Sequence, residues 1–233
     1  MVTVTPNGDV PQQPMNFDNS YLPDQLIAGV FPRVTQGIAT VLSGSTVNSV
    51  TPLPRGTVMG QIALGAATAV AGGGNTGAGT MSAVTRVGNK TQVGVYVVKF
   101  TAATAFDVID PTGRKLSSGV TGSAYADDIG FTITAGSPAF VAGDVFNVTV
   151  AAGSGKYIPS VKTATDGSEN PSAILVDQTD PSAGDVNAGL YFTGEFNQNA
   201  ITFDSSWTVI TLAPVLRPLS IFLKDSVSAA DPS

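Results

Sequence analysis

Glycine and proline punctuate this chain from end to end, and nothing else constrains its fold as much. There are 26 glycines and 15 prolines in 233 residues. Proline blocks a helix and restricts its predecessor to extended backbone, while glycine marks turns. Short strands fit between such breaks. Ile129, Phe131 and Ile133 alternate with Gly130, Thr132 and Thr134, and Phe146, Val148 and Val150 alternate with Val145, Asn147 and Thr149. That is the period of a half-buried strand. Val93 to Phe100 is apolar on both faces, as a central strand would be. Asp110-Pro-Thr-Gly113 and Val141-Ala-Gly-Asp144 read as turns. The chain is predicted to be mainly β, an α+β core with few short helices.

Composition narrows the chemistry. An apolar fraction of 42% can build a core, but charged residues make up only 12%, about half the usual ~25%. The solvent face must therefore consist largely of Thr, Ser, Asn, Gln and Gly. There is no histidine and no cysteine. This excludes Ser-His-Asp and Cys-His catalysis, disulfides and a zinc site of the usual ligand set. A formal charge of -6 argues against a nucleic-acid partner. The opening residues Met1 to Gly8 carry neither the basic nor the apolar region of a signal peptide. The longest apolar run, Ile62 to Ala71, is broken at Gly65 and is short of the ~20 residues a membrane helix needs. The expectation is a protein made in a cytoplasm, with no membrane partner.

The chain divides by texture. Residues 1–24 form a polar, proline-rich arm, expected to be extended until bound. Residues 25–72 and 156–233 share one texture and are assigned to a single discontinuous core. Residues 73–155, with about six short strands, are assigned to an inserted small β-sandwich or barrel. Ala66 to Gly79 reads as a flexible linker and Ala151 to Gly155 as a second hinge. In the last part, Ile174 to Val176, Leu190 to Thr193 and Leu219 to Leu223 are expected strands. Ser205-Ser206 is expected to cap a helix from Trp207 toward Ala213, ended by Pro214.

Each candidate for chemistry has a plainer explanation. Gly72, Gly74 and Gly77 match a dinucleotide fingerprint, but a strand follows them where a helix N-terminus is required. Asp177, Asp180, Asp185 and Glu195 have the chemistry for a hard cation, yet their spacing suits turns. Asp127-Asp128 reads as a solvated turn. Trp207, Phe196, Phe203, Phe192 and Tyr191 are read as core in preference to a sugar-stacking platform. No catalytic residue, metal or cofactor is assigned.

An ordered set of segments points further. These are Tyr21-Leu-Pro-Asp-Gln-Leu-Ile-Ala-Gly29 with Pro32-Arg-Val-Thr35, Leu53-Pro-Arg-Gly-Thr-Val-Met-Gly60, Pro171-Ser-Ala-Ile-Leu-Val176, Tyr191-Phe-Thr-Gly-Glu-Phe-Asn197 and Leu216-Arg-Pro-Leu-Ser-Ile-Phe-Leu223. Together they resemble the head decoration, or capsid cementing, proteins of lambda-like tailed phages. Within them Pro23, Asp24, Gly29, Gly56, Gly60, Gly194, Glu195, Phe196, Asn197 and Arg217 are the family-motif residues. Ser220 stands where glycine is usual in that family. The resemblance implies a lambda-decoration-type β-rich core and a structural virion protein. It implies a homotrimer on the outer surface of an expanded capsid, at three-fold and quasi-three-fold positions, reinforcing it against internal DNA pressure. The implied partner is the major capsid protein. The arm, through Val2, Thr3, Val4, Thr5, Pro6, Pro11, Pro14 and Phe17, is expected to add a strand to that protein. The insert is left as a spacer, a host-surface contact or an enlargement of trimer contacts. The competing reading is a free adhesin or fibre-type module that recognises a glycan or a host surface.

Overall fold

The computed structural model describes residues 26–225. The arm residues Val2 to Phe17, with Pro23 and Asp24, lie outside them. Of the described residues 46% are in strands or bridges and 7% in helices, so the chain is mainly β as its periodicity predicts.

The first strands are β1 (Ile27–Gly29), β2 (Thr35–Val41) and β3 (Val58–Gln61). A second set follows: β4 (Leu64–Ala71), β5 (Thr80–Met81), β6 (Thr85–Arg86), β7 (Gly94–Phe100), β8 (Ala105–Ile109), β9 (Lys115–Val120), β10 (Ala124–Ala126), β11 (Ile129–Thr134) and β12 (Val145–Ala152). Then come β13 (Tyr157–Pro159), β14 (Pro171–Leu175), β15 (Val186–Asn197), the helix α1 (Val209–Leu216) and β16 (Ile221–Lys224).

Strands β2, β15, β14, β3 and β13 pair in a closed ring. The closure has two parts: β13 meets β2 in parallel at Tyr157 and Val41, and β15 runs antiparallel to β2 from Val186 opposite Val41 to Thr193 opposite Thr35. One core cluster holds Leu53, Met59, Leu175 and Leu190. Another joins Leu26, Phe196 and Ile221 to Trp207, Leu212 and Leu216 of the helical segment.

The second set makes its own sheets. One has the order β4-β12-β7-β8-β9; the other is built on β11, which pairs with β10, β5 and β6. Between them lies a separate core that includes Tyr96, Phe100, Phe106, Ile133, Phe140 and Phe146. The alternating residues of β11 and β12 point into it, as their period requires. Strand β7 is central in its sheet, between β12 and β8. Only one of its faces is covered, however, and Val95 stays 44% exposed because that sheet forms an outer wall.

Both expected linkers turn out to be fastened. Residues 64–71, which the sequence assigns to the core segment and partly to a linker, form β4 and pair along β12 from Leu64 to Ala71. Beyond it, the amides of Thr76 and Gly77 donate to the Asp144 carboxylate at 2.9 Å each. Gly77 lies so close to Phe140 that a Cβ would sit 2.5 Å from its ring. At the far end, Gly153 N–H donates to Ala63 O (2.8 Å) and Gly155 N–H to Ile62 O (3.0 Å). Small residues are therefore required here for close backbone approach, and the two connections run side by side.

The helix also departs from expectation. Thr208, not Ser205 or Ser206, caps it, in a reciprocal box with Thr211. Pro214 lies inside it. The bond that proline forfeits is the one to the carbonyl of Ile210, a residue 85% exposed, so water can satisfy that group.

Phe100 stacks on Phe140 with ring centroids 4.0 Å apart and is 1% exposed. Replacing Phe100 with Ala should cost about 3–5 kcal/mol, read as a lower urea midpoint.

Candidate functional site

Five of the family-motif residues, Gly29, Gly194, Glu195, Phe196 and Asn197, meet at one seam, where β15 leaves β2 and takes up two new neighbours. Its second half pairs with β1 on one edge, Phe196 opposite Ile27 and Glu195 opposite Gly29. On the other edge it runs parallel to β16, from Gly194 opposite Ile221 to Asn197 opposite Lys224. Gly194 makes the change of partner at φ 145°, and its N–H donates to Ser220 O at 3.0 Å. That φ favours glycine.

Each neighbour has a definite task. The Glu195 carboxylate lies over Gly29, where a Cβ would overlap it, and pairs with the Lys224 ammonium. Phe196 is fully buried. Asn197 donates its backbone N–H to Leu26 O at 2.9 Å and accepts from Asn199 N–H through Oδ1 at 3.0 Å. Gly56, at φ +82°, bonds to both Leu175 and Thr202. Gly60 has the Ser168 carbonyl where a Cβ would go. Arg217 stands apart, exposed in the 3-10 turn Arg217–Leu219 after the helix. These residues build backbone geometry; they do not assemble a reacting centre.

The carboxylates are spent in the same way. Asp177, Asp180, Asp185 and Glu195 do not gather. Asp180 accepts from Ser182, Asp185 accepts from Ser43 N–H and pairs with Lys156, and Glu195 is held at the seam. Among the described residues no group of three or more acids stands ready for a metal. Asp110 Oδ1 accepts from Thr112 N–H (2.9 Å), Thr112 Oγ1 (2.6 Å) and Arg114 N–H (2.8 Å), while Oδ2 takes Arg114 Nε at 2.9 Å. The Thr112 hydroxyl, with Arg114, holds this carboxyl well below the usual carboxylate range. Asp144, cradled by the Thr76, Gly77 and Val141 amides, and Asp127, held by Ser117, are lowered too. Asp127-Asp128 is no loose turn, because the Arg114 guanidinium also reaches Asp128 at 3.1 Å.

The aromatics proposed as core are core. Trp207, Phe196 and Tyr191 are buried in one cluster with Phe203 packed against it, and Phe192 packs on the other barrel cluster. The sequence reading assigned nothing to Val30 and Phe31, which are 91% and 81% exposed. The signal available was a pair of large apolar residues beside Gly29 and Pro32 in a turn.

Ser220 adopts φ 61° and ψ 29°, a left-handed conformation unfavourable for a side chain. Ser220→Gly should therefore stabilise the protein by about 1 kcal/mol, read by thermal unfolding. The depressed carboxylates release their protons more readily in the folded state than in the unfolded chain. Their contribution is fully present above about pH 4 and is lost as pH falls through the folded values. The melting temperature should hold from neutral pH to about 5, then fall steeply, and Asp110→Asn should make that fall shallower.

Three comparisons bear on identity. No curated protein matches the chain. Among solved structures, two crystal forms of Xanthomonas campestris FlgL match at 25% identity, covering 42% of this chain and 33% of that one, with a TM-score of 0.33. The chain thus spans about a third of that protein, and so low a score carries no argument. Among protein families, Bacteriophage lambda head decoration protein D matches residues 114–219. The range runs from the second set of sheets through β15 and the helix, so it begins within the segment the sequence assigned to an insert. The ordered motifs resemble, and the matched residues 114–219 are similar to, the same group of proteins, the lambda-like phage head decoration proteins.

Proposed function

We propose that the chain is a non-enzymatic cement for the expanded capsid of a tailed phage. It binds the outer surface as a homotrimer at three-fold and quasi-three-fold positions and reinforces the shell against internal DNA pressure. The observation that carries this reading is the head decoration family match over residues 114–219, which implies association with the capsid and a place in the virion. The braced carboxylates and buried aromatics support it, because they leave the chemistry of the chain committed to its own fold. The glycan-adhesin reading loses its main support with Trp207 buried. In this account the major capsid protein is the partner, residues 2–20 form the capsid-binding arm, and the protein is made in the host cytoplasm.

The chain is a discontinuous barrel carrying an inserted β unit, with the insert bounded by β4 and β12. The insert is the part available for host-surface contact, and the barrel side does the cementing. Because Gly153 N–H bonds to Ala63 O at 2.8 Å, the insert can be removed by joining Ala63 to Gly153. Full-length and joined proteins would be added to expanded shells lacking them, and shell rupture followed on heating. Both should bind and raise the rupture temperature. Absence of binding by the full-length chain would end the cementing reading.

A further inference from the structure

The ladder along β15 ejects one short loop. Gly29 pairs with Glu195 and Thr35 with Thr193, so residues 30–34 leave and rejoin the sheet across two steps of the partner strand. Both ends of this loop are pinned. Thr35 N–H donates to Thr193 Oγ1 at 3.0 Å, and that hydroxyl donates to Arg33 O at 2.8 Å. Val34 turns inward against the barrel core. On the other side Gly29 sits beneath the Glu195 carboxylate. Val30 and Phe31 are left projecting side by side, at 91% and 81% exposed. Scattered exposed apolar residues are ordinary, but a braced loop presenting a valine and a phenylalanine together has little ordering left to lose on binding.

We propose that Val30 and Phe31 are an anchor that inserts into an apolar pocket on the capsid subunit bound by the preceding arm. The inference rests on the cementing reading and adds to it a second, preorganised contact. Two observations select this occupant over another copy of the chain. Residues 1–25 enter the fold at Leu26, four residues before Val30, so the root of the arm and the anchor lie within ~13 Å of each other. Whatever surface receives the arm also meets the anchor. Arg33 beside the anchor is exposed and makes no ion pair among the described residues, although the chain carries -6 overall. An aromatic next to a free arginine is the composition of an interface centre, and this one calls for a pocket rimmed by carboxylates.

The test uses the full chain with Phe31→Ser and Arg33→Glu variants. It measures co-sedimentation with expanded shells over a range of salt, together with native mass by light scattering and thermal unfolding. Both variants alter solvent-facing side chains, so mass and melting temperature should match the parent. Phe31→Ser should weaken shell binding by roughly 30-fold or more. Arg33→Glu should weaken it most at low salt, where charge acts furthest. Parent-like binding by Phe31→Ser would overturn the anchor, and a smaller native mass would assign the loop to contacts between copies instead. If the parent itself does not bind shells, the cementing reading fails and the anchor fails with it.

Discussion

The fold depends on one strand serving four neighbours. Over its 12 residues β15 holds β2 and then β1 on one edge, β14 and then β16 on the other. Its first half closes the barrel, and closure leaves those strands no open edge. Its second half draws the N-terminal strand and the C-terminal strand to one place. The exchange of partners needs backbone that an ordinary residue resists, which explains Gly194 at φ 145° and its bond to the Ser220 carbonyl. The ejected loop follows from the same arrangement: β1 and β2 are successive partners on one edge, and the residues between them have nowhere to pair.

A second constraint is scarcity of charge. With 17 acidic residues and no histidine, the chain uses its carboxylates as acceptors for backbone amides and as partners for a few cations. Asp144 pins the glycine-rich turn at Thr76 and Gly77, and Asp110 organises the turn through Arg114. Each such group favours the ionised form and lies in the fold's connections. Neither Asp110 nor Asp144 is pushed upward, as one member of a hydrolytic carboxyl pair must be. The bonds from Gly153 to Ala63 and from Gly155 to Ile62 hold the two connections to the second set of sheets together.

Much of the fold was legible because strands with one buried face write their period into the chain. β11 and β12 are the clearest cases. β4 was not legible: Leu64-Gly-Ala-Ala-Thr-Ala-Val-Ala71 has the small residues of a linker, and only its pairing with β12 makes it a strand. The helix start was misplaced by two residues because serine and threonine are equivalent N-cap candidates until Thr211 completes the box. The family-motif residues could be named only through family resemblance. What makes Gly29 or Gly60 necessary is a side chain or carbonyl more than a hundred residues away, and no local pattern records that. Val30 and Phe31 escaped notice for the opposite reason: apolar residues are expected to go inside, and the ladder turned these outward.

The central claim is a location on a shell, so the most direct measurement is electron cryo-microscopy of expanded capsids saturated with the full chain. The account predicts density at three-fold and quasi-three-fold positions, three copies at each, with the root of the arm and the Val30–Phe31 loop against the capsid subunit and the insert pointing outward. Undecorated shells, or density confined to other positions, would contradict it.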